Sequence, residues 1–248
     1  MSITIKNKEQ IEKMRKAGKI LKDTLELLEA SIYPGQTTSR LNDLAYKYII
    51  SQGAKPSFLN YEGFPFTICA SLNEQVVHGF CSNIPLQEGD IISIDCGVIW
   101  EGFHADAART FPVGNITSEK QNLINVTKQS FFEGIKDIKA GSKLGHISHR
   151  IQACLESHGY GVVRELVGHG VGEKLHEDPC VPNYGKYNTG VVLQEGMTLA
   201  IEPMSTLGKK EVFLEDNDWT VTTCDGLPSA HYENTVLITK DGVEILTL

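Results

Sequence analysis

Four carboxylates and one histidine stand in stretches whose neighbours are mostly apolar. Asp95 lies in "ISIDCGVI", Asp106 in "FHADAARTFPV", Glu202 in "MTLAIEPM", Glu233 in "SAHYENTVLIT", and His169 between glycines in "LVGHGVG". Taken alone, an acid at a strand end is an ordinary turn or cap residue, and a loop histidine is ordinarily hydrogen-bonded. Together they raise a problem of charge. Ionised carboxylates a few ångströms apart on an apolar sheet repel, so either one takes a proton or a cation sits between them. Four acids and an imidazole form a hard, oxygen-rich ligand set. It suits two divalent cations better than one, since four negative charges balance two M²⁺ ions and a carboxylate can bridge metals about 3.5–4 Å apart. Glycines beside His169 let neighbouring backbone approach closely. Two more histidines, His78 in "EQVVHGF" and His176 in "KLHEDP", each follow a strand-like run and precede a turn. Either is a satisfied surface imidazole or part of a site.

The elements that must position these groups can be read from periodicity. Residues 8–29 space Ile11, Met14, Ile20, Leu21, Leu25 and Leu28 mostly three, four or seven apart, an amphipathic helix with a solvated basic face. "YPGQTTSRLNDLAYKYIISQGA" holds a Pro-Gly turn, Ser or Thr caps and a second helix ending at Gly53. "TICASLN" and "DIISIDCGVI" read as strands, and "FHADAARTFPV" as a third, joined to the second by a tight turn near Glu101-Gly102. If that turn centres on Trp100-Glu101, Asp95 faces Asp106 directly. If it centres on Glu101-Gly102, Asp106 faces Gly97 and lies diagonal to Asp95. Both registers put the two aspartates on one face, with Cβ atoms about 5–8 Å apart. Helical patterns return at 118–139 and 142–158, and after Gly159 the chain is strand and loop.

An internal echo organises these elements. "QEGDIISIDCG" (87–97) aligns without gaps on "QEGMTLAIEPM" (194–204), 107 residues on. "PGQTTSRLNDLAYKYIISQG" (34–53) aligns on "AGSKLGHISHRIQACLESHG" (140–159), 106 residues on. Two matches at nearly one offset imply two helix–helix–strand–strand units, packed face to face around a sheet core with no flexible linker. In that alignment Asp95 falls on Glu202, so each half sets a carboxylate at the end of the same strand. The site is expected between the halves.

Composition narrows the class. With 248 residues, 41% hydrophobic and 22% charged, the chain suits a soluble globular protein. No apolar run reaches the roughly 18 residues of a membrane span, and the charged N-terminus lacks the apolar core of a signal peptide, so a cytoplasmic location is expected. Six scattered cysteines without a C-x-x-C pair read as free thiols, mostly packed. A net charge of −8 argues against a nucleic-acid surface. "HEDP" starts like the H-E-x-x-H zinc helix, but position 180 is Cys. There is no G-x-S-x-G elbow and no phosphate-binding G-x-x-x-x-G-K-[ST] loop.

The segments "NEQVVHGF", "DIISIDCG", "HADAART", "GHGVGEKLHEDP", "AIEPM" and "HYENT", in this order and over residues 5–247, resemble the methionine aminopeptidases of the short bacterial type I form, without an N-terminal extension. The resemblance implies an α/β (α+β) "pita-bread" fold: a single catalytic domain over 1–248, with pseudo-symmetric halves of roughly 8–115 and 116–248 and a central antiparallel sheet covered by helices. It implies two divalent metals (Co, Mn, Fe or Zn). Asp95 would chelate one metal, Asp106 and Glu233 would bridge both, and His169 and Glu202 would complete the second. His78 and His176 would flank the scissile bond, and Glu202 would shuttle a proton. Phe58, Tyr61, Phe64, Cys69, Leu175 and Trp219 would wall a methionine pocket. Substrates would be the N-termini of nascent chains with a small second residue, met near the ribosome by a monomer that binds neither nucleic acid nor membrane.

All five ligand positions carry the expected type, which counts against a non-enzymatic relative on the same scaffold. Departures are His231 and Asn234 around Glu233, where Gln and His are usual, Leu175 where an aromatic is common, and Phe58 where Cys is frequent. A proline-directed peptidase of the prolidase kind would use the same ligands, but such chains usually carry a large extra N-terminal domain.

Overall fold

The computed structural model describes residues 3–248; residues 1 and 2 of the expected domain lie outside them. The first half runs α1 (Lys8–Glu29), α2 (Thr38–Ser51), β1 (Lys55–Pro56), β2 (Ile68–Leu72), β3 (Gln75–Val77), β4 (Ile91–Trp100) and β5 (Phe103–Pro112). The second runs α3 (Ser118–Ile135), α4 (Leu144–Ser157), β6 (Gly161–Val162), β7 (Gly168–Gly170), β8 (Glu177–Val181), β9 (Thr198–Ile201) and β10 (Met204–Thr206). Beyond these lie β11 (Val212–Leu214), β12 (Val221–Thr223), β13 (Ser229–His231), β14 (Asn234–Ile238) and β15 (Val243–Ile245). Asn7 caps α1 and forms a reciprocal capping box with Gln10. Among the described residues, no helix is long and apolar enough to cross a membrane.

The echo in the sequence is an echo in space. Adding 106 to the bounds of α2 gives those of α4, and adding 107 to Ile91, where β4 starts, gives Thr198, where β9 starts. The flanking turns repeat as well. Thr37 bridges Pro85 as Lys143 bridges Val192, and Gly35 donates to the Leu86 carbonyl as Gly141 donates to that of Leu193.

Each half buries its own apolar cluster. α1 and α2 lay Leu21, Leu25, Leu41 and Ile49 on Ile92, Ile94 and Val98 of β4, while α3 and α4 lay Phe131, Ile147 and Ile151 near Leu199, Ile201 and Val236 of β9 and β14. A small third cluster, with Met14 and Phe103 against Val171, Ala200 and Leu237, joins the halves. Such burial stabilises by roughly 1.5–3 kcal/mol per large aliphatic side chain. Cys69, Cys81 and Cys96 are buried, Cys154 is half-buried, and Cys180 and Cys224 are exposed; all six are free thiols.

Among the described residues the antiparallel strands group into four hydrogen-bonded sheets. The largest two, β1-β4-β2 with β5 and β15-β14-β9-β7-β8, meet along a seam between β5 and the β13–β14 segment. There Glu233 N–H donates to the Ala108 carbonyl at 2.9 Å. On one side the Thr235 hydroxyl accepts from Asp106 N–H (2.8 Å) and donates to the Asp106 carbonyl (2.9 Å). On the other, the Thr110 hydroxyl accepts from His231 N–H and donates to the His231 carbonyl, both at 2.9 Å. Threonine hydroxyls thus stand in for the backbone partners that a continuous ladder would supply.

Candidate metal centre

The β4–β5 turn selects between the two registers. Glu101 and Gly102 have φ of 45° and 85°, the pair of positive angles a two-residue type I′ hairpin requires. Trp100 therefore pairs with Phe103 and Gly97 with Asp106, so Asp106 lies diagonal to Asp95 on the same face. In the second half β14 pairs with β9 so that Asn234 faces Ile201. Glu202 and Glu233, each one residue beyond its strand, thereby emerge side by side. β7 sets His169 opposite Ala200 on the other side of β9. The glycines around His169 make this possible: a Cβ on Gly168 would come within 2.4 Å of the Ala200 carbonyl oxygen, and one on Gly170 within 2.2 Å of that of Asp178.

All five groups converge. Atoms of Asp106, His169 and Glu233 lie within 4.8 Å of one another. His169 Nε2 is 3.9 Å from Asp106 Oδ2 and 3.7 Å from Glu202 Oε1. His169 Nδ1 donates to the Gly170 carbonyl at 2.9 Å, which leaves Nε2 with its lone pair facing the carboxylates, the tautomer of a metal ligand. Burial drives Asp95 up to about 7 and, with the neighbouring acids, drives Asp106, Glu202 and Glu233 well above the carboxylate range. Burial also pushes His169 down to about 4 and His231 to about 3. Among the described residues, the close ionic contacts of these acids are with His169 and His231, and none is with Lys or Arg. Asp95 Oδ1, Asp106 Oδ1 and Glu233 Oε1 are buried without a hydrogen-bond partner. Unpartnered buried anionic oxygens are costly, and divalent cations are the neutralising groups that this oxygen-rich donor set fits.

The same groups floor a cavity of about 160 Å³, and all thirteen residues singled out from the sequence line it. Phe58, Phe64, Cys69 and Leu175 form a buried apolar wall, with Tyr61 and Trp219 packed against it; the Trp219 ring meets Phe64 edge-on at 5.0 Å. His78, at φ 58°, stands 6.2 Å from the Trp219 ring. His176 precedes β8, hydrogen-bonds through Nδ1 to the Tyr61 hydroxyl at 2.9 Å, and meets the His169 ring edge-on at 4.3 Å. Burial lowers the pKa of both His78 and His176, favouring neutral rings. Sequence reasoning missed Glu62, which also lines the cavity; its place in "NYEGF" between two wall aromatics was the available signal. It marked His231 as a departure beside the ligands, where a substitution can tune metal affinity or activity; the ring lies 3.7 Å from Glu202 and 3.9 Å from Glu233.

The description "Metallopeptidase family M24" matches residues 12–240. The chain belongs to this family. It is 54% identical to a methionine aminopeptidase of Clostridium acetobutylicum, over 99% of both chains. The crystal structure of methionine aminopeptidase from Rickettsia prowazekii superposes with a TM-score of 0.98 at 42% identity, covering 100% of both chains. A prolidase from Pyrococcus furiosus shares the fold at a TM-score of 0.79 and 24% identity, over 98% of this chain and 65% of that one. The family, its fold and its reliance on divalent metal agree with what the residues imply.

Proposed function

We propose that the protein hydrolyses the first peptide bond of newly made polypeptides, releasing N-terminal methionine where the second residue is small. It acts as a single catalytic domain with an internal repeat, a cytoplasmic monomer meeting its substrates near the ribosome and binding neither nucleic acid nor membrane. The observation that carries the reading is the convergence of four carboxylates, with no Lys or Arg in ionic contact among the described residues, and His169 at the floor of a small cavity with an apolar wall. Two divalent cations (Co, Mn, Fe or Zn) would be held by Asp95, Asp106, His169, Glu202 and Glu233. Bound there, they supply a water of lowered pKa and Lewis acidity toward the substrate's amine and carbonyl.

The chain's own residues do the rest. Phe58, Phe64, Leu175 and Trp219 exclude water and receive the flexible methionine side chain, with Cys69 and the Tyr61 ring completing the wall. With the Tyr61 hydroxyl donating to Nδ1, the neutral His176 ring carries its proton on Nε2, free to donate to the developing oxyanion. His78 holds the substrate's peptide group from the opposite side. Glu202 takes a proton from the attacking water and returns it to the leaving amine. A hydrophobic pocket discriminates against a side chain one methylene shorter by only about 10–200-fold, so norleucine is an expected alternative first residue.

A panel of short peptides with the metal-loaded enzyme tests this reading. Met-Ala-Ser is expected to release methionine, and Xaa-Pro peptides to remain intact. Preference for Xaa-Pro would favour the prolidase-like alternative, and turnover of neither would remove the assignment. The full-length similarity at 54% identity favours the methionine reading over the prolidase-like one.

A further inference from the structure

His231 is fully buried, and neither ring nitrogen has a hydrogen-bond partner. Its Nε2 lies 3.7 Å from Glu202 Oε2 and 3.9 Å from Glu233 Oε2. Glu202 therefore lies between two imidazoles, one near each oxygen, since Oε1 is 3.7 Å from His169 Nε2. The two rings differ in what fixes their protons. His169 Nδ1 is committed to the Gly170 carbonyl, so its Nε2 is an electron-pair donor. His231 Nδ1 has no such commitment, and its ring is free to carry the proton on Nε2 and present it to the carboxylates. The backbone there cannot drift: both polar groups of His231 are bonded to the Thr110 hydroxyl, which is itself within 2.8 Å of the Ser93 hydroxyl, and Met204 pairs with His231 across β10–β13.

We infer that His231 is a positioning residue for the metal centre: its Nε2–H, aimed between Glu202 Oε2 and Glu233 Oε2, fixes the two glutamates from behind so that their other oxygens face the cations. The inference rests on the metal-centre reading above and deepens it. An N–H donor to the outer oxygen of a ligating carboxylate narrows its rotation and makes the site more preorganised before a cation arrives. His231 is not itself a ligand. A glutamine there sets an amide N–H near the place of Nε2, and an alanine leaves none.

The test is the affinity of the whole chain for Co²⁺ and Mn²⁺, titrated anaerobically by calorimetry. The visible spectrum of the Co²⁺ form reports ligand geometry, and the Tm of the metal-free form reports folding separately. His231→Ala is expected to weaken binding about 10–100-fold and to shift the Co²⁺ bands, and His231→Gln to stay within about threefold of wild type with bands in place. Should the alanine variant fail to fold, His231→Leu, of similar bulk without a donor, takes its place against glutamine. Unchanged affinity in the alanine or leucine variant, with only the metal-free Tm lowered, overturns the inference and gives His231 a packing role. A glutamine variant as weak as alanine overturns it too and makes His231 a ligand. If wild type takes up neither cation, the metal-centre reading itself fails.

Discussion

Each imidazole in the cavity draws its task from what holds its other nitrogen. A carbonyl fixes His169 as a lone-pair donor, and a phenol that donates to Nδ1, as in the proposed mechanism, leaves His176 a proton on Nε2 to give. His176 lines the cavity but keeps much of its side chain open to solvent, so its removal should affect reaction more than folding. His176→Ala is expected to lower kcat about 10²–10³-fold, the usual cost of one oxyanion donor, with a smaller change in KM. Steady-state kinetics on Met-Ala-Ser checks this; a raised KM with kcat intact would make His176 a binding group alone. Residue type and local pattern pick out the acids in apolar strands and His169 between glycines, because each is anomalous where it stands, whereas the roles of His78 and His176 and the pocket wall come only through the family resemblance. Glu62 and the contact of His231 with two glutamates were not legible. Glu62 follows a left-handed Asn60 in a short irregular turn, and the reach of His231 depends on how β13 lies beside β9 and β14, which no local pattern encodes.

At the scale of elements, the hairpin, the four helices and the repeat could all be read ahead of the structure, since periodicity and turn chemistry are local. The seam between β5 and the β13–β14 segment could not. It pairs residues more than 120 positions apart, and it runs in part through two threonine hydroxyls whose sequence looks like ordinary strand. Thr235 is the link that matters for the centre. Its hydroxyl serves both the N–H and the carbonyl of Asp106, fully buried. Thr235→Val keeps the shape but orphans both backbone groups, at about 1–3 kcal/mol each. Urea unfolding of the metal-free protein is expected to show a loss of about 2–6 kcal/mol, with Thr235→Ser close to wild type. A valine variant as stable as wild type would mean that the Thr235 hydroxyl adds nothing to the seam beyond its other hydrogen bonds and packing.

For the whole molecule, the proposed ligand set is divided between the halves: Asp95 and Asp106 come from the first, and His169, Glu202 and Glu233 from the second. The offset that maps Asp95 onto Glu202 made this division readable, while the four-sheet grouping depends on long-range pairing and was not. Because each half has its own apolar cluster, the junction is where stability is least assured. It is also where four carboxylates converge with no Lys or Arg in ionic contact with them among the described residues. Cations bound there neutralise that charge and tie the halves, and they bind the folded chain alone, since the unfolded chain scatters the ligands. At a free metal concentration 100 times Kd, each such site adds about 2.7 kcal/mol to unfolding, so two sites add roughly 5 kcal/mol. For a domain of this size about 2–4 °C accompanies each kcal/mol, which makes the expected rise in Tm on loading with Mn²⁺ or Co²⁺ roughly 10–20 °C. Calorimetric scans of chelator-treated and metal-loaded protein measure it. Identical midpoints in the two scans would mean that no cation is held across the junction, and the buried acids would then have to be neutralised by protons.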